Sequence, residues 1–342
     1  MRALLLTKCQ GLEQSPRPLR LAELPDPQPA PDEVVIKVKA CAVCRTDLDI
    51  IEGRLRPSLL PLVLGHQITG EIVACGKAVA DLKPGLKVGL GWIYQACSKC
   101  EYCLTSRENL CPHFRATGKD VHGGYAEYTL AKERFTLLLP SQADLILTAP
   151  LLCAGGVGYR ALRLTGLRDG QTLGLVGFGA SAHLLLKLIK SLHPYTTVFV
   201  FARSRSQQEF ARSLGAAWSG SLTDSPPAPC DALLDTTPIW QPLLSLLPFL
   251  KPGGRYVINA IRKEDKDKEL LGQLTYENHL WLEKCLLSTA NATSADLRDF
   301  LELAFRFQIL PEIKTYDLVD TNQALLDLKR GDQLGAKVIV VT

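Results

Sequence analysis

The sequence has no uninterrupted apolar run long enough to cross a lipid bilayer. Its two most apolar segments, residues 145–158 and 184–192, are broken by Pro150 and several glycines or by two lysines, whereas a membrane-spanning helix needs about 20 apolar residues in succession. Near the start of the chain, residues 3–6 form an apolar stretch of four residues before Lys8, too short for the hydrophobic region of a secretory signal. We therefore expect no membrane crossing and no secretion.

A strong excess of either charge is also missing. The chain has 39 Lys and Arg against 35 Asp and Glu, which gives a net charge of +4, and the basic residues are scattered rather than grouped as they are in nucleic-acid-binding proteins. With 46% hydrophobic and 22% charged residues, the composition is that of a folded globular protein. Its 342 residues allow two domains. We therefore expect neither disorder nor a nucleic-acid partner.

Cysteine, in contrast, is plentiful. Eleven cysteines in a chain with no export signal favour metal ligation in the cytoplasm over a disulfide framework. Four of them are close in sequence and are separated by polar residues that do not suit a core: Cys97, Cys100, Cys103 and Cys111. A turning loop can direct thiolates at such spacing to one point, so this cysteine lobe (residues 94–112) is predicted to hold a tetrahedral zinc ion.

Two other interpretations of the lobe remain. Free or disulfide-bonded thiols are one, although a disulfide between such near neighbours is strained. An iron–sulfur cluster is the other, because the three-cysteine run and the Cys111-Pro112 pair are similar to a ferredoxin pattern in which the last gap is three residues rather than seven. Stoichiometric zinc in a colourless protein would identify zinc, and visible absorption would identify a cluster.

Short β-like segments at residues 33–40, 70–75 and 125–130 predict a strand-rich, loop-heavy first domain (residues 1–150) that carries the lobe. Strands and helices alternate after Gly170, which predicts a doubly wound parallel sheet over residues 151–290. The tail, residues 291–342, begins with a capped helix, ends with a strand, and is expected to return to the first domain.

A glycine turn follows the first strand of the second domain and opens a helix. It reads Gly177-Phe178-Gly179-Ala180-Ser181-Ala182, the dinucleotide fingerprint with Ala182 at the third glycine. Backbone N–H groups at such a helix start can hold a pyrophosphate. The turn therefore predicts a dinucleotide cofactor.

The end of the next strand distinguishes the two nicotinamide cofactors. A carboxylate there would accept the ribose 2′-OH of NAD, but the chain has Arg203, Ser204 and Arg205, whose guanidinium groups suit a 2′-phosphate. We predict NADP(H), with NAD(H) as the alternative because surface arginine pairs are common in loops.

Several of these motifs occur in the order found in the zinc-dependent medium-chain alcohol dehydrogenases, a branch of the medium-chain dehydrogenase/reductase superfamily, and the chain resembles that family over nearly its whole length. The residues that carry the resemblance are Cys44-Arg45-Thr46-Asp47, Gly65-His66, the cysteine lobe, Gly123-Gly124-Tyr125-Ala126-Glu127-Tyr128, the segment around Cys153 and the glycine turn. The resemblance implies an α/β fold, with a GroES-like β-rich catalytic domain and a Rossmann cofactor domain. It also implies two zinc ions per subunit and a homodimer or homotetramer.

By the same resemblance, Cys44, His66 and Cys153 bind a catalytic zinc and the lobe binds a structural zinc. Two thiolates and one imidazole leave a fourth position open, as a catalytic site requires. Asp47 would orient His66, and Thr46 would pass the proton of an alcohol onward.

The resemblance also implies contacts to the ligands. Arg45 would contact the cofactor pyrophosphate, and Trp92 and Tyr94 would lie against the substrate, where aromatic walls favour apolar or aromatic compounds. Two positions depart from the family. Gln67 replaces a glutamate, and Asp49 replaces a histidine that carries the proton from Thr46 towards solvent; its ordinary pKa of about 3.9 makes it a weaker base than histidine.

The sequence therefore predicts a cytoplasmic zinc oxidoreductase that transfers hydride between NADP(H) and a small alcohol or aldehyde, working as an aldehyde reductase. One alternative is conjugate reduction of the C=C bond of an enal. The other is a dinucleotide-binding protein without catalysis, against which the complete set Cys44, His66 and Cys153 argues.

Overall fold

The structure is a computed structural model that describes residues 1–331 and 334–342. The chain folds into two compact units. The first comprises Met1–Ala154, Ala292–Leu301 and Leu310–Thr342, and the second comprises Gly155–Asn291 and Glu302–Ile309.

The first unit is built mainly of short antiparallel strands, because its apolar residues alternate with polar ones and are interrupted by glycine and proline. The strands are β1 (Arg2–Leu6), β2 (Leu19–Glu23), β3 (Glu33–Ala42), β4 (Leu62–Val63), β5 (Gln67–Cys75), β6 (Lys87–Leu90), β7 (Ile93–Gln95), β8 (Arg115–Ala116), β9 (Tyr128–Lys132) and β10 (Thr136–Leu138). Short helices connect them: α1 (Arg45–Ile51), α2 (Glu101–Leu104), α3 (Leu145–Thr148) and the 3₁₀ turns Glu108–Leu110, Glu133–Phe135 and Ala149–Leu152.

The central pair of this unit is β3 and β5, which run antiparallel. In their register Ala42 lies opposite Gln67 and Cys41 lies opposite Ile68. The end of β3 therefore lies beside the start of β5, so that the residues just after one strand and just before the other are neighbours. Valine, isoleucine and alanine of β3 are almost entirely buried, which keeps this edge of the sheet fixed in the core.

The second unit is the predicted parallel sheet with helices. It begins with α4 (Ala154–Thr165), whose first residue belongs to the first unit, and continues with β11 (Thr172–Val176), α5 (Ala180–Leu192), β12 (Thr197–Phe201), α6 (Arg205–Ser213), β13 (Trp218–Gly220), β14 (Cys230–Asp235), α7 (Gln241–Leu246), β15 (Leu250–Ile258) and β16 (Cys285–Ser288). The 3₁₀ turns Leu247–Phe249 and Lys268–Gln273 and a π-helical turn at Tyr276–Leu280 complete it. The strand order is β13-β12-β11-β14-β15-β16, and the reversal between β11 and β14 is the usual place for a cofactor.

Most of the tail returns to the first unit, whereas Glu302–Ile309 belongs to the second. The tail contains α8 (Ser294–Arg306), β17 (Ile313–Asp317), the 3₁₀ turn Leu318–Asp320, α9 (Thr321–Arg330) and β18 (Ala336–Val340). β18 pairs with β3, with Val338 opposite Ala42, so the end of the chain supports the strand that leads to Cys44.

One segment, Leu145–Thr165, has the length and mean hydropathy of a membrane span, and 61% of its apolar 18-residue window is buried inside the protein. It consists of α3, the turn at Ala149–Leu152 and α4. A core segment of a folded domain has the same profile.

Candidate functional site

Three potential metal ligands from distant parts of the chain meet in the first unit. Cys44 follows β3 and precedes α1, His66 directly precedes β5, and Cys153 follows the turn at Ala149–Leu152. Their ligand atoms all lie within 4.8 Å of one another. The pairing of β3 with β5 accounts for the first two positions, since it brings the end of one strand beside the start of the other.

Asp47 contacts two of these ligands, Cys44 and His66, through its two carboxylate oxygens. One carboxylate oxygen, Oδ2, accepts hydrogen bonds from the Cys44 backbone N–H and the Tyr125 hydroxyl, each at 2.8 Å. The other, Oδ1, lies 3.5 Å from Nδ1 of His66. Because Asp47 is fully buried, this geometry fixes the imidazole orientation and leaves Nε2 of His66 for another ligand.

The protonation of the three groups is strongly coupled. The hydrogen bond from Cys153, followed by the charge of His66, lowers the pKa of Cys44 well below its usual value despite burial. The same contact with Cys44, together with burial, raises the pKa of Cys153 well above its usual value. Burial lowers the pKa of His66, but the Cys44 thiolate and Asp47 outweigh it and raise that pKa to about 10. Without a metal, Cys44 therefore loses its proton more readily than Cys153 or His66.

Apart from the 3.5 Å contact between Nδ1 and Asp47, the ring nitrogens of His66 have no hydrogen-bond partner, although the residue is only 1% exposed. A buried polar atom without a partner costs about 1–3 kcal/mol. Two cysteine sulfurs and one imidazole are ligands that zinc prefers. The donor set and the unsatisfied imidazole therefore fit a zinc ion.

Gln67 joins all three ligand segments. Its Nε2 donates to the carbonyl oxygen of Ala42 at 3.2 Å, and its Oε1 accepts from the backbone N–H of Ala154 at 3.1 Å. Ala42 lies two residues before Cys44, and Ala154 follows Cys153. An amide can donate to the carbonyl and accept from the N–H at once, whereas an ionised carboxylate only accepts, so the structure gives a physical reason for glutamine here.

Of the other residues predicted around this centre, Thr46 and Trp92 contact the ligands and Tyr94 does not. The Thr46 hydroxyl is 3.5 Å from Sγ of Cys44. The Trp92 ring meets the His66 ring edge to face, with centroids 4.7 Å apart. Tyr94 belongs to another group, because its hydroxyl donates to Glu33, and burial followed by that bond raises its pKa well above the ordinary value.

Asp49 and Arg45 lie on α1. Asp49 is buried, and its Oδ1 is 2.7 Å from Nε and from Nη2 of Arg54. Burial raises the pKa of Asp49 and outweighs the opposing effect of Arg54. Arg45 is the first residue of the helix and is half-buried.

The second cluster is the cysteine lobe, whose four sulfurs also lie within 4.8 Å of one another. The sulfurs of Cys97 and Cys103 are 3.9 Å apart, far beyond the roughly 2.05 Å of a disulfide, and every cysteine of the chain is free. Backbone N–H groups point at the sulfurs: Cys100 donates to Cys97, and Cys97 and His113 donate to Cys111, each at 3.4 Å. Four convergent thiols with such N–H donors fit a closed zinc site.

In the second unit, the glycine turn connects β11 to α5. Gly177 has φ +79°, and a Cβ there would lie 2.7 Å from the Thr236 hydroxyl. A Cβ on Gly179 would meet nothing within 4 Å, and no side chain caps α5. The start of α5 thus leaves room for an anion such as a pyrophosphate, while Ala182 is fully buried within the helix.

Arg203, Ser204 and Arg205 follow β12, the strand next to β11. The Phe201 carbonyl accepts from the N–H of Gly177 at 2.8 Å, which ties this corner to the glycine turn. Arg203 is exposed, Ser204 caps α6 by accepting from Gln207 N–H, and Arg205 pairs with Glu209 at 2.9 Å on the surface.

Comparison with known proteins agrees with this architecture. The family model of the alcohol dehydrogenase GroES-like domain matches residues 30–141. The matched residues lie in the first unit, which is therefore a GroES-like domain of the alcohol dehydrogenase type. The "Probable alcohol dehydrogenase AdhA" of Mycobacterium tuberculosis is 38% identical over 320 residues, covering 92% of this chain and 90% of that protein. An alcohol dehydrogenase of Geobacillus stearothermophilus is 30% identical, covering 97% and 98%.

A solved structure, the cinnamyl alcohol dehydrogenase SbCAD4 of Sorghum bicolor, superposes with a TM-score of 0.86 at 25% identity, covering 99% of this chain and 97% of that one. The chain therefore belongs to the alcohol dehydrogenases of the medium-chain dehydrogenase/reductase superfamily. It is an oxidoreductase that acts on small-molecule alcohols, and the predicted fold class is confirmed.

The sequence alone did not identify two contacts at the metal site. Tyr125 holds Asp47, and its place in the Gly-Gly-Tyr motif was the available signal. The bridge made by Gln67 had no signal, because it depends on which backbone groups the fold brings to the amide.

Proposed function

We propose that this alcohol dehydrogenase uses zinc and NADP(H) and works mainly as an aldehyde reductase. The observation that carries the proposal is the convergence of Cys44, His66 and Cys153, with ligand atoms within 4.8 Å of one another, around a buried imidazole whose Nε2 makes no hydrogen bond. When bound, zinc polarises the substrate oxygen, and the nicotinamide carries the hydride.

The residues of the chain hold and orient these groups. Cys44, His66 and Cys153 hold the ion, and Asp47 keeps the His66 ring in one orientation through its contact with Nδ1. The Thr46 hydroxyl, 3.5 Å from Sγ of Cys44, is placed to exchange a proton with the substrate oxygen. Trp92 packs on His66 and excludes water from that side of the site.

Asp49 would take over the proton step that histidine performs in relatives. Its pKa is raised by burial, which makes it a better base than an exposed aspartate. Arg54 still favours the ionised form, so we expect alcohol oxidation near neutral pH to be slowed more than aldehyde reduction. Asp49→His should shift the pH profile of oxidation, and an unchanged profile would remove Asp49 from the proton path.

NADP(H) is favoured by the corner after β12. Arg203 and Arg205 are exposed there, and the segment from Ala202 to Arg205 has no carboxylate to accept a ribose 2′-OH or repel a 2′-phosphate. Arg203→Asp should raise the KM for NADPH at least about tenfold and leave that for NADH nearly unchanged. Arg168→Asp is the matched control, since Arg168 is an exposed arginine that precedes β11, at the opposite end of the strand. Equal KM values for the two cofactors in the unmodified protein would contradict the assignment.

The second unit offers an edge through which two copies of this chain would pair, in a homodimer or within a homotetramer. Within the described residues, β16 is the edge strand of its sheet, and large apolar side chains near it are exposed, including Trp281 at 52%, Leu282 at 49% and Leu286 at 43%. An open apolar edge pairs readily with a second copy. Leu286→Lys should shift the protein toward the monomer in light scattering.

The decisive experiment is an NADPH-oxidation screen over aliphatic and aromatic aldehydes, repeated after zinc removal and restoration. Trp92 and the likeness to a cinnamyl alcohol dehydrogenase favour aromatic aldehydes. Cinnamaldehyde should yield the unsaturated alcohol, whereas a saturated aldehyde would support conjugate reduction instead. Cofactor binding without turnover across the panel would support a non-catalytic protein. The free state of all eleven cysteines is consistent with a reducing compartment such as the cytoplasm.

A further inference from the structure

A buried ion pair lies directly behind the glycine turn of the second unit. Nζ of Lys263 is 2.6 Å from Oδ2 of Asp235, and the two side chains are 7% and 0% exposed. The Tyr256 hydroxyl donates to the same carboxylate oxygen at 3.1 Å. Taking two charges out of water costs several kcal/mol per ion, so a pair this deeply buried is a weak device for stability and points to a positioning role.

The pair organises residues 236–239, here called the 236–239 loop, which follows β14. Oδ1 of Asp235 accepts from the Thr237 N–H at 2.8 Å and from its hydroxyl at 2.7 Å. Lys263 also donates to the carbonyl oxygens of Thr237 at 3.0 Å and Ile239 at 2.8 Å. The loop is therefore wrapped around one ammonium group, which has a partner for each of its three protons.

The 236–239 loop is also one wall of the glycine turn. The Thr236 N–H and hydroxyl both donate to the Val176 carbonyl at 2.9 Å, and a Cβ on Gly177 would lie 2.7 Å from the Thr236 hydroxyl and 3.0 Å from a Thr237 methyl. A displacement of the loop would thus change the space in which a dinucleotide meets the start of α5.

We infer that Lys263 and Asp235 are positioning residues for the cofactor: they fix the 236–239 loop against the glycine turn and so set dinucleotide affinity. This inference rests on the proposed dinucleotide site. It assigns neither residue a contact with the cofactor, because both act through Thr236 and Thr237.

The test measures NADPH binding to the zinc-loaded protein by calorimetry and cofactor fluorescence. Lys263→Met leaves Asp235 as an unpaired buried charge and is expected to lower the melting temperature. The double variant Asp235→Asn with Lys263→Met removes both charges, and its melting temperature should return toward that of the unmodified protein. Its Kd for NADPH should still be raised about tenfold, because the Thr237 and Ile239 carbonyls have lost their common donor. The KM for NADPH should rise more than kcat falls.

Lys251→Met is the matched control. Lys251 pairs with Asp231 at 2.8 Å at the opposite end of β14, with side-chain exposures of 41% and 20%, and its removal should leave the Kd within about twofold. A double variant that binds NADPH with the original Kd would overturn the inference, as would a control variant that weakens binding equally. If the unmodified protein binds neither NADPH nor NADH, the proposed function itself fails, and this inference fails with it.

Discussion

The two cysteine clusters of the first unit solve the problem of holding a metal in opposite ways. The lobe takes four sulfurs from one short segment, Cys97 to Cys111, and depends on local turns and backbone N–H donors. The other cluster takes three ligands from Cys44 to Cys153 and depends on the register of β3 and β5. Four sulfurs would complete a tetrahedron around a zinc ion, whereas three ligands would leave a position for substrate.

The two clusters also differ in the size of the apolar core around them. The lobe has a small apolar core, formed with Ile93, Ala96 and Phe135, so that the metal would be its main support. Around Cys44 and His66 the core is large, and it holds Asp47 and Tyr125 in a fully buried network. The comparison indicates that metal loss should unfold the lobe but only inactivate the open site.

The largest expected effect is on activity, at the open site. Cys153→Ser should lower kcat at least about a thousandfold, because a hydroxyl binds zinc poorly where a thiolate is required. Metal analysis should show zinc falling from about two ions per chain to about one, while the circular dichroism spectrum stays the same. Cys75→Ser is the control, since Cys75 is half-buried at the opposite end of β5 from His66, and its thiol donates to the Leu82 carbonyl at 3.6 Å. Full activity in Cys153→Ser would end the case for a catalytic zinc.

The next effect is on stability, at the lobe. Cys103→Ser should lower the melting temperature by about 10 °C and make residues 94–112 sensitive to limited proteolysis. The loss of kcat should be less than about tenfold, because no lobe residue belongs to the open site. Cys285→Ser, at an exposed cysteine, provides the comparison variant. If both variants resisted protease equally, the lobe would not depend on its metal.

The contrast between local and distant ligands also explains what sequence could predict. The lobe and the glycine turn follow from spacing alone, because their residues are neighbours in the chain. Cys44, His66 and Cys153 became a candidate set only through resemblance to a family, since no local pattern says which strands pair. Trp92 and Tyr94 are two residues apart, but the Trp92 ring contacts His66 whereas the Tyr94 hydroxyl contacts Glu33. Spacing alone does not say which surroundings each side chain faces.

A smaller effect is expected on the pH dependence of zinc affinity. It is specific to the open site, because zinc binding there releases protons. A pKa raised to about 10 keeps His66 protonated near pH 7, and the pKa of the Cys153 thiol is also raised, whereas that of Cys44 is lowered. Zinc must displace the protons held by His66 and Cys153, so its affinity should rise with pH up to the pKa of His66. Calorimetry in two buffers of different ionisation enthalpy would count the protons.

The lobe has a different pattern of pKa shifts and must be kept apart from the open site in that measurement. There Cys97 has a pKa lowered to about 6, chiefly by the Lys99 N–H, and Cys103 has a pKa raised to about 12, chiefly by burial. Zinc should be restored to the open site with the lobe still loaded, so that the heat reports one cluster. Affinity that is independent of pH would contradict the charge distribution described for Cys44, His66 and Cys153.

The smallest effect sharpens the comparison most, because it tests how the distant ligand segments are joined. Gln67→Glu places a carboxylate oxygen against the Ala42 carbonyl, where the amide now donates at 3.2 Å, in a position that is 2% exposed. We expect the free energy of unfolding to fall by about 1–3 kcal/mol, measured by urea denaturation. Burial and the facing carbonyl should raise the pKa of the new carboxyl, and its protonated form can again donate to Ala42. The deficit should therefore be largest well above that pKa and shrink as the pH falls through it.

Gln142→Glu, at an exposed position, is the control and should change the free energy of unfolding by less than about 0.5 kcal/mol at any pH. A deficit in Gln67→Glu that is equally small would mean that the fold of β3 and β5 alone, without the amide bridge, holds the three ligands together.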